Sequence, residues 1–268
     1  MKKQLTLSII VPAYNEEHHL KACLDSIAKQ TVKPDEVIVV NNNSSDKTIR
    51  LAKKYPFVKL LSEAKQGVVF ARDRGFNAAK SQLIGRIDAD TILPLDWVER
   101  VHQFYAYSEH QQSGLTGGCY FYNMRIPRVQ GWFQGQIAFR YNRLLMGHYI
   151  FFGSNMVLPR SIWLKVRYKL CHDIDVHEDL DLAIHVHRAG YPINYLENLR
   201  VGVKMRRVRS QHDQLWDNIM WWPKTLRRHG KKTWIFGWLG AVLFYTLSPL
   251  ESVVEAIARF VGRRPLPE

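Results

Sequence analysis

The chain has 268 residues, of which 46% are hydrophobic and 23% charged, so it can bury the core of one large domain. Its 38 Lys and Arg residues outnumber its 24 Asp and Glu residues by 14, which suits an anionic partner such as nucleic acid, anionic lipid or a phosphorylated small molecule. The three cysteines form no Cys-x-x-Cys pair, which argues against a disulfide framework or a zinc ribbon and favours a reducing, cytoplasmic location.

The N-terminal part of the chain alternates apolar runs of strand length with segments of helical periodicity. Asn15 is predicted to cap the first helix. This alternation predicts a mostly parallel α/β sheet, which binds ligands beyond the carboxyl ends of its strands. The predicted strands are residues 5–11, 37–40, 58–61 and 83–87, and the helices between them cover roughly 20–28, 46–55 and 67–80.

Polar clusters follow two of these strands, at Asn41 to Asp46 and at Asp88 to Asp90. Asp88 and Asp90 are two residues apart, so an extended backbone directs both carboxylates to the same side. Oxygen ligands of this kind suit Mg²⁺ or Mn²⁺. An Asp-x-Asp triplet is also common in turns and helix caps, so both interpretations stand on this motif alone.

Further elements are predicted downstream, with less regular spacing. A helix is expected at 96–106, a strand at 115–122, a helical segment to about residue 146, and a helix at 178–189 that ends at Gly190. His185 and His187 lie on different sides of that last helix, so this pair does not predict a zinc site.

The C-terminal tail contains an uncharged run, residues 233–250, which is marginal for the ~20 apolar residues of a membrane-spanning helix. Basic residues flank the run on both sides, and a single span would place one group on the wrong side of the membrane. We therefore expect a re-entrant or interfacial helical hairpin. A single spanning helix and packing against the protein's own core are the alternatives.

Six sequence blocks together resemble family 2 glycosyltransferases in their order and approximate spacing, from about Leu5 to Tyr195. The resemblance implies a GT-A fold, with residues 1–203 as the catalytic domain. Residues 204–268 follow as a basic, apolar and amphipathic helical region, which we expect from its charge and hydropathy to associate with a membrane. The blocks are Ile10 to Glu16, Val39 to Asp46, Gly67 with Ala71 to Gly75, Asp88 to Asp90, Gly153 to Met156, and Glu178 to Leu182 with Ala189 to Tyr191.

The resemblance also implies roles for individual residues. Asp179 would be the catalytic base, Asp88 would face the ribose or the metal, and Asp90 would ligate the metal. Asn41 stands where the family commonly has an Asp that recognises the nucleotide base of the donor. This difference leaves open which nucleotide base the protein binds. The other substrate-binding candidates are Pro12, Ala13, Tyr14, Glu16, Arg72, Glu178, and Arg206 and Arg207, whose guanidinium groups suit a diphosphate.

The function implied is inverting, Mn²⁺- or Mg²⁺-dependent transfer of sugar from a UDP- or GDP-sugar to an acceptor hydroxyl. The Gln-x-x-Arg-Trp signature of polymerising members is absent, so transfer of a single sugar is expected. The acceptor would be a glycan or lipid-linked sugar at the anionic inner face of the cell membrane.

Two alternatives stand beside this hypothesis. In the first, the enzyme is soluble and acts on a diffusible or protein acceptor. In the second, the chain is a basic nucleic-acid-binding protein without catalysis. The second is disfavoured because the aromatic residues cluster with the apolar run and because no helix-turn-helix, RNA-recognition or zinc-finger pattern occurs. We therefore expect no nucleic-acid partner.

Overall fold

A computed structural model describes residues 4–123, 139–173, 175–204, 212–243 and 245–246. Within these residues seven strands form one sheet, and eight helices (α1–α8) and a further C-terminal helical segment surround it. The strands are β1 Leu7–Ala13, β2 Glu36–Asn41, β3 Val58–Ser62, β4 Leu83–Arg86, β5 Gly114–Phe121, β6 Met156–Pro159 and β7 Ile193–Val203. The helices are α1 Leu20–Ala28, α2 Thr48–Ala52, α3 Val68–Ala78, α4 Trp97–Tyr105, α5 (139–146), α6 Arg160–Val166, α7 Glu178–Arg188 and α8 His212–Arg228.

The strands lie in the order β3-β2-β1-β4-β6-β5-β7. The first four are parallel to one another, β6 runs antiparallel to both its neighbours, and β5 and β7 are parallel. This arrangement confirms the predicted, mostly parallel α/β sheet. It also brings the carboxyl ends of β1, β2 and β4 to one edge, where ligands bind in open sheets.

Apolar side chains cover both faces of the sheet. In β1, Ile9 and Val11 pack in one core cluster with α1 and α4, whereas Ile10 packs in a second cluster with α3, α6 and α7. This alternation follows from the two-residue period of a strand. Because both faces are buried, the strand reads as a continuous apolar run in the sequence.

The loop after β1 differs from the prediction. Helix α1 begins at Leu20, with His19 in the N-cap position, so the prediction that Asn15 caps it was wrong. Asn15 instead has a positive φ of 53°, and its Oδ1 accepts a hydrogen bond of 2.9 Å from the Ser45 N–H. Its own N–H donates to Ser44 Oγ at 3.1 Å. These contacts tie the loop after β1 to the loop after β2.

Strand β7 was not predicted as a strand, and it packs beside β5 around a buried amide. The Asn155 side chain accepts from Trp97 Nε1 at 2.9 Å and donates to the carbonyls of Gly118 and Leu199 at 3.0 and 2.6 Å. A Cβ on Gly117 would lie 1.8 Å from the Leu199 carbonyl oxygen, so the close approach requires glycine here. The two strands and α4 are thereby held in one position.

The C-terminal segment, residues 234–243, is helical and has two different faces. Ala241 is buried, Trp234 packs with Trp222 and Leu226 of α8, and the Tyr141 hydroxyl donates to the Phe236 carbonyl at 2.7 Å. Among the described residues no helix has the length and hydropathy needed to cross a bilayer. The part of the predicted hairpin beyond residue 246 lies outside the described residues.

Candidate active site

Two aspartates follow β4 at the ligand-binding edge of the sheet. Asp88 accepts a 2.9 Å hydrogen bond from Arg86 Nη2 and a second one from Ser154 Oγ, and 37% of its side chain is exposed. Burial raises the pKa of the nearby Cys23 thiol, and the charges of Asp90, Asp88 and Glu16 raise it further. The strand end therefore carries the two carboxylates Asp88 and Asp90, whose oxygen atoms suit a hard divalent cation.

Glu178, the first residue of α7, lies between two buried arginines. Arg72 Nη1 is 2.5 Å from one carboxylate oxygen of Glu178 and also donates to its backbone carbonyl at 2.8 Å, and Arg86 Nη1 contacts the other carboxylate oxygen. Arg72 lies 2.8 Å from Asp73 as well. Glu178 is therefore anchored by charge on both sides, and it fixes the start of α7 against α3 and β4.

Asp179 follows directly and is held by three donors. Its Oδ2 accepts from the Gly153 N–H at 3.0 Å, and its Oδ1 accepts from the Leu180 N–H at 2.8 Å and lies 2.5 Å from His177 Nδ1. Burial alone would raise the pKa of this carboxyl, but the charge and hydrogen bond of His177 and the charge of Arg86 lower it well below its ordinary value. Asp179 is consequently ionised at neutral pH.

The candidate nucleotide-binding residues lie at the ends of β1 and β2, with Pro12 and Ala13 as the last two residues of β1. The Tyr14 side chain is 51% exposed and can offer its ring to a ligand. Glu16 lies 3.0 Å from His19. Asn41 is buried, and its Oδ1 accepts from the Ser44 N–H at 3.2 Å, so it shapes its own loop.

The structure bears on one candidate and adds two residues. Arg72, which was predicted to bind substrate, has no exposed side-chain surface and pairs with Glu178, so we infer that it positions this carboxylate. Arg206 and Arg207 lie outside the described residues. Sequence reasoning missed Arg86 and Ser154, although a lone arginine inside the apolar run of β4 is a signal, because a buried charge requires a partner.

Removal of Arg72 tests this positioning role. Arg72→Met is expected to lower the free energy of unfolding by about 3 kcal/mol, because it leaves one oxygen of the Glu178 carboxylate without its charged partner while Arg86 still holds the other. Arg72→Met combined with Glu178→Gln should cost clearly less than the sum of the two single changes, measured by urea denaturation. Arg74→Met, an exposed position on the same helix, serves as the control. Additive costs would contradict a role exerted through Glu178.

Comparisons with known proteins place glycosyltransferases among the relatives of this chain. The chain is 36% identical over 88 residues to the uncharacterized glycosyltransferase YibD of Escherichia coli, an alignment that covers 31% of this chain and 26% of the relative. It is 31% identical over 126 residues to the uncharacterized glycosyltransferase EpsJ of Bacillus subtilis, covering 46% of this chain and 36% of the relative. The chain thus matches well under half the length of these curated relatives.

Solved structures share the fold at low sequence identity. Mannosyltransferase PcManGT from Pyrobaculum calidifontis, in complex with GDP-Man and Mn²⁺, superposes with a TM-score of 0.63 at 20% identity, covering 96% of this chain and 74% of that one. S. aureus TarS, in complex with UDP-GlcNAc, gives 0.61 at 16% identity, covering 83% and 66%. The family model for glycosyl transferase family 2 matches residues 8–164, and the chain belongs to this family of GT-A glycosyltransferases.

Proposed function

We propose that the protein transfers a single sugar, with inversion, from a UDP- or GDP-sugar to a hydroxyl of a membrane-presented acceptor, in a metal-dependent reaction. One observation carries the proposal: two adjacent residues of one loop hold one carboxylate each. Gly153 donates to Asp179 at 3.0 Å, and Ser154 donates to Asp88. The carboxylate proposed to bind the metal and the carboxylate proposed as the base are thereby held at the same edge of the sheet.

We assign residues 1–203 to the catalytic domain and 204–268 to the membrane-associated region.

Each carboxylate has a separate task in this proposal. Asp88 and Asp90 would hold the Mn²⁺ or Mg²⁺, which when bound neutralises the charge of the departing nucleoside diphosphate. Asp179 accepts the proton of the acceptor hydroxyl. At the same time the oxygen of that hydroxyl bonds to the anomeric carbon, and the bond from this carbon to the phosphate oxygen breaks. Attack from the face opposite the leaving group inverts the anomeric configuration.

The lowered pKa of Asp179 is compatible with this role. The carboxylate is ionised before reaction, and it becomes a useful acceptor as the attacking hydroxyl loses its proton during bond formation. The N–H groups of Gly153 and Leu180 fix its orientation. Such fixed orientation favours reaction by holding the proton acceptor in place.

Donor specificity gives the direct test of the proposed reaction. UDP- and GDP-sugars are screened with and without Mn²⁺ for thermal stabilisation, since a ligand that binds only the folded state raises the Tm. The donor that stabilises should release nucleoside diphosphate in the presence of an acceptor, and NMR of the product should show the inverted anomer. A retained anomer would refute the mechanism, and turnover undiminished in EDTA would refute the role of the metal.

The C-terminal segment supports the membrane-presented acceptor. Ile235, Leu239 and Leu243 are spaced four residues apart along it and are 51%, 52% and 58% exposed. This spacing places them on one helical face. Exposed basic residues lie just before the segment, and each contributes roughly 1 kcal/mol toward an anionic surface. They are Lys224, Arg227, Arg228 and Lys232.

Charge on this face should release the protein from membranes. The triple change Ile235→Glu, Leu239→Glu and Leu243→Glu is expected to reduce binding to anionic vesicles at least about tenfold, because burying even one such side chain contributes roughly 1.5–3 kcal/mol. Flotation with vesicles measures it. Equal binding by the variant and the wild type would refute the membrane role and favour an enzyme with a diffusible acceptor. The control carries the same added charge at three other exposed positions, Leu95, Tyr107 and Tyr168.

A further inference from the structure

A second cluster of ligand-type side chains lies away from the carboxylates of the active site, where α7 meets the end of α8. Cys171, Asp181, His185 and His229 each offer one ligand atom, and these four atoms all lie within 4.8 Å of one another. Asp181 has no exposed side-chain surface, and the side chains of His185 and His229 are 12% and 5% exposed. Cys171 is a free, half-buried thiol.

We propose that these four residues bind one transition-metal ion of the zinc class. Sulfur and imidazole nitrogen ligands select zinc over magnesium or calcium, and four protein ligands fill a tetrahedral shell. A thiolate and a carboxylate together carry two negative charges, which balance a divalent cation in this buried place. The site is closed, because all four positions are taken by protein, so its role is structural.

The geometry is close to what a metal requires. Asp181 Oδ1 lies 2.7 Å from His229 Nε2 and 3.5 Å from His185 Nε2, and Asp181 Oδ2 accepts from the Cys171 N–H at 3.0 Å. Bonds of about 2.0–2.3 Å place tetrahedral ligand atoms roughly 3.3–3.8 Å apart, so the widest pair has to approach by about 1 Å. Among the described residues, His185 Nε2 is buried without a hydrogen-bond partner.

Metal binding requires one further change in the surroundings. Arg188 Nη2 donates to the His229 carbonyl at 2.6 Å, and Arg188 Nη1 lies 3.0 Å from His229 Nδ1. A metal on Nε2 places the ring proton on Nδ1, which then cannot accept from Arg188. The Nη1 contact must open, whereas the contact to the carbonyl can persist.

The position of the cluster indicates what the ion would do. Asp181 and His185 lie one turn apart on α7, whose first turn carries Glu178 and Asp179, while His229 directly follows α8. An ion held by the two α7 residues, by His229 and by Cys171 of the loop before α7 would fasten the C-terminal helices to the helix that presents the proposed base. It would be independent of any cation at Asp88 and Asp90, where all ligands are oxygen atoms.

Cobalt provides a spectroscopic test with the full-length protein. After removal of metal by a chelator, one equivalent of Co²⁺ should give the visible ligand-field bands of a four-coordinate ion together with a near-ultraviolet thiolate-to-cobalt charge-transfer band. Zinc should displace it and abolish both. The carboxylates at the strand end supply only oxygen ligands, and loss of the thiolate band in Cys171→Ser separates this cluster from Cys23, the thiol that lies near Asp88.

Two variants complete the test. Cys171→Ser should lose the charge-transfer band and bind zinc at least about 10–100-fold more weakly, as loss of even an outer-shell partner does. His187→Gln should keep both properties, because His187 stacks on His148 instead of facing the cluster. A wild-type protein without the band, a band that persists in Cys171→Ser, or an X-ray absorption spectrum of the zinc form without a sulfur ligand would each overturn the proposal.

Discussion

Replacing Asp90 by alanine is expected to reduce kcat/KM by about 100- to 1,000-fold or more. The reason is electrostatic: the cation proposed at the strand end would contribute several kcal/mol to stabilising the leaving group, and each 1.36 kcal/mol corresponds to a tenfold change in rate. The fold should survive, because Asp90 is only half-buried in a turn after β4. Nucleoside diphosphate release measures the loss, and circular dichroism checks the fold.

Asp96→Ala is the matched control for this change. Asp96 lies six residues after Asp90 and pairs with Arg100 on the surface at 2.6 Å. Asp96→Ala therefore removes the same charge from the protein without affecting the strand end. The Mn²⁺-dependent part of donor stabilisation should disappear in Asp90→Ala and persist in Asp96→Ala. Near-normal turnover by Asp90→Ala would remove this residue from the metal site.

Replacing Asp179 by asparagine is expected to lower kcat by about 100-fold or more, with donor binding nearly unchanged. Asparagine keeps the size of the side chain and can still accept one of the N–H bonds from Gly153 and Leu180. It cannot accept the proton of the acceptor hydroxyl. Single-turnover kinetics and donor titrations separate the two effects.

Asp173→Asn makes the same change of charge a few residues away. Asp173 is 49% exposed and pairs with Arg228, so this variant should keep its kcat. If Asp179→Asn retained normal kcat, the proton would have to pass to another carboxylate of α7, and the assignment of the base would be wrong. A large increase in the donor KM with unchanged kcat would instead make Asp179 a binding residue.

The part of the fold that could be predicted from sequence is the part with local patterns. Strands β1, β2 and β4 are mostly apolar runs, and the polar residues after β2 and β4 mark their ends, at the edge where open sheets bind ligands. The start of α7 was likewise marked by its acidic first turn. These signals depend on neighbouring residues only, so periodicity and capping preferences reveal them.

Long-range pairing explains what was missed. The contact between Arg86 and Glu178 joins residues 92 positions apart, and that between Arg72 and Glu178 joins residues 106 apart. Nothing in the local sequence of either arginine identifies its partner. Strand β7 escaped detection because its middle, at Glu197 and Asn198, is exposed and breaks the alternation of an ordinary strand. Asn15 was misjudged because its partner, Ser45, lies in another loop.

The contacts between α7 and α8 limit which segments of this enzyme can be exchanged with those of its relatives in a chimera. The Thr225 hydroxyl of α8 accepts a 2.8 Å hydrogen bond from the N–H of His177, just before α7, and His229 contacts Asp181 of α7 at 2.7 Å. A chimera that takes its C-terminal helices from another family member would place foreign side chains against the turn that bears Asp179. A functional exchange therefore has to transplant α7 together with α8, because a crossover point between β7 and α8 would replace only one side of these contacts.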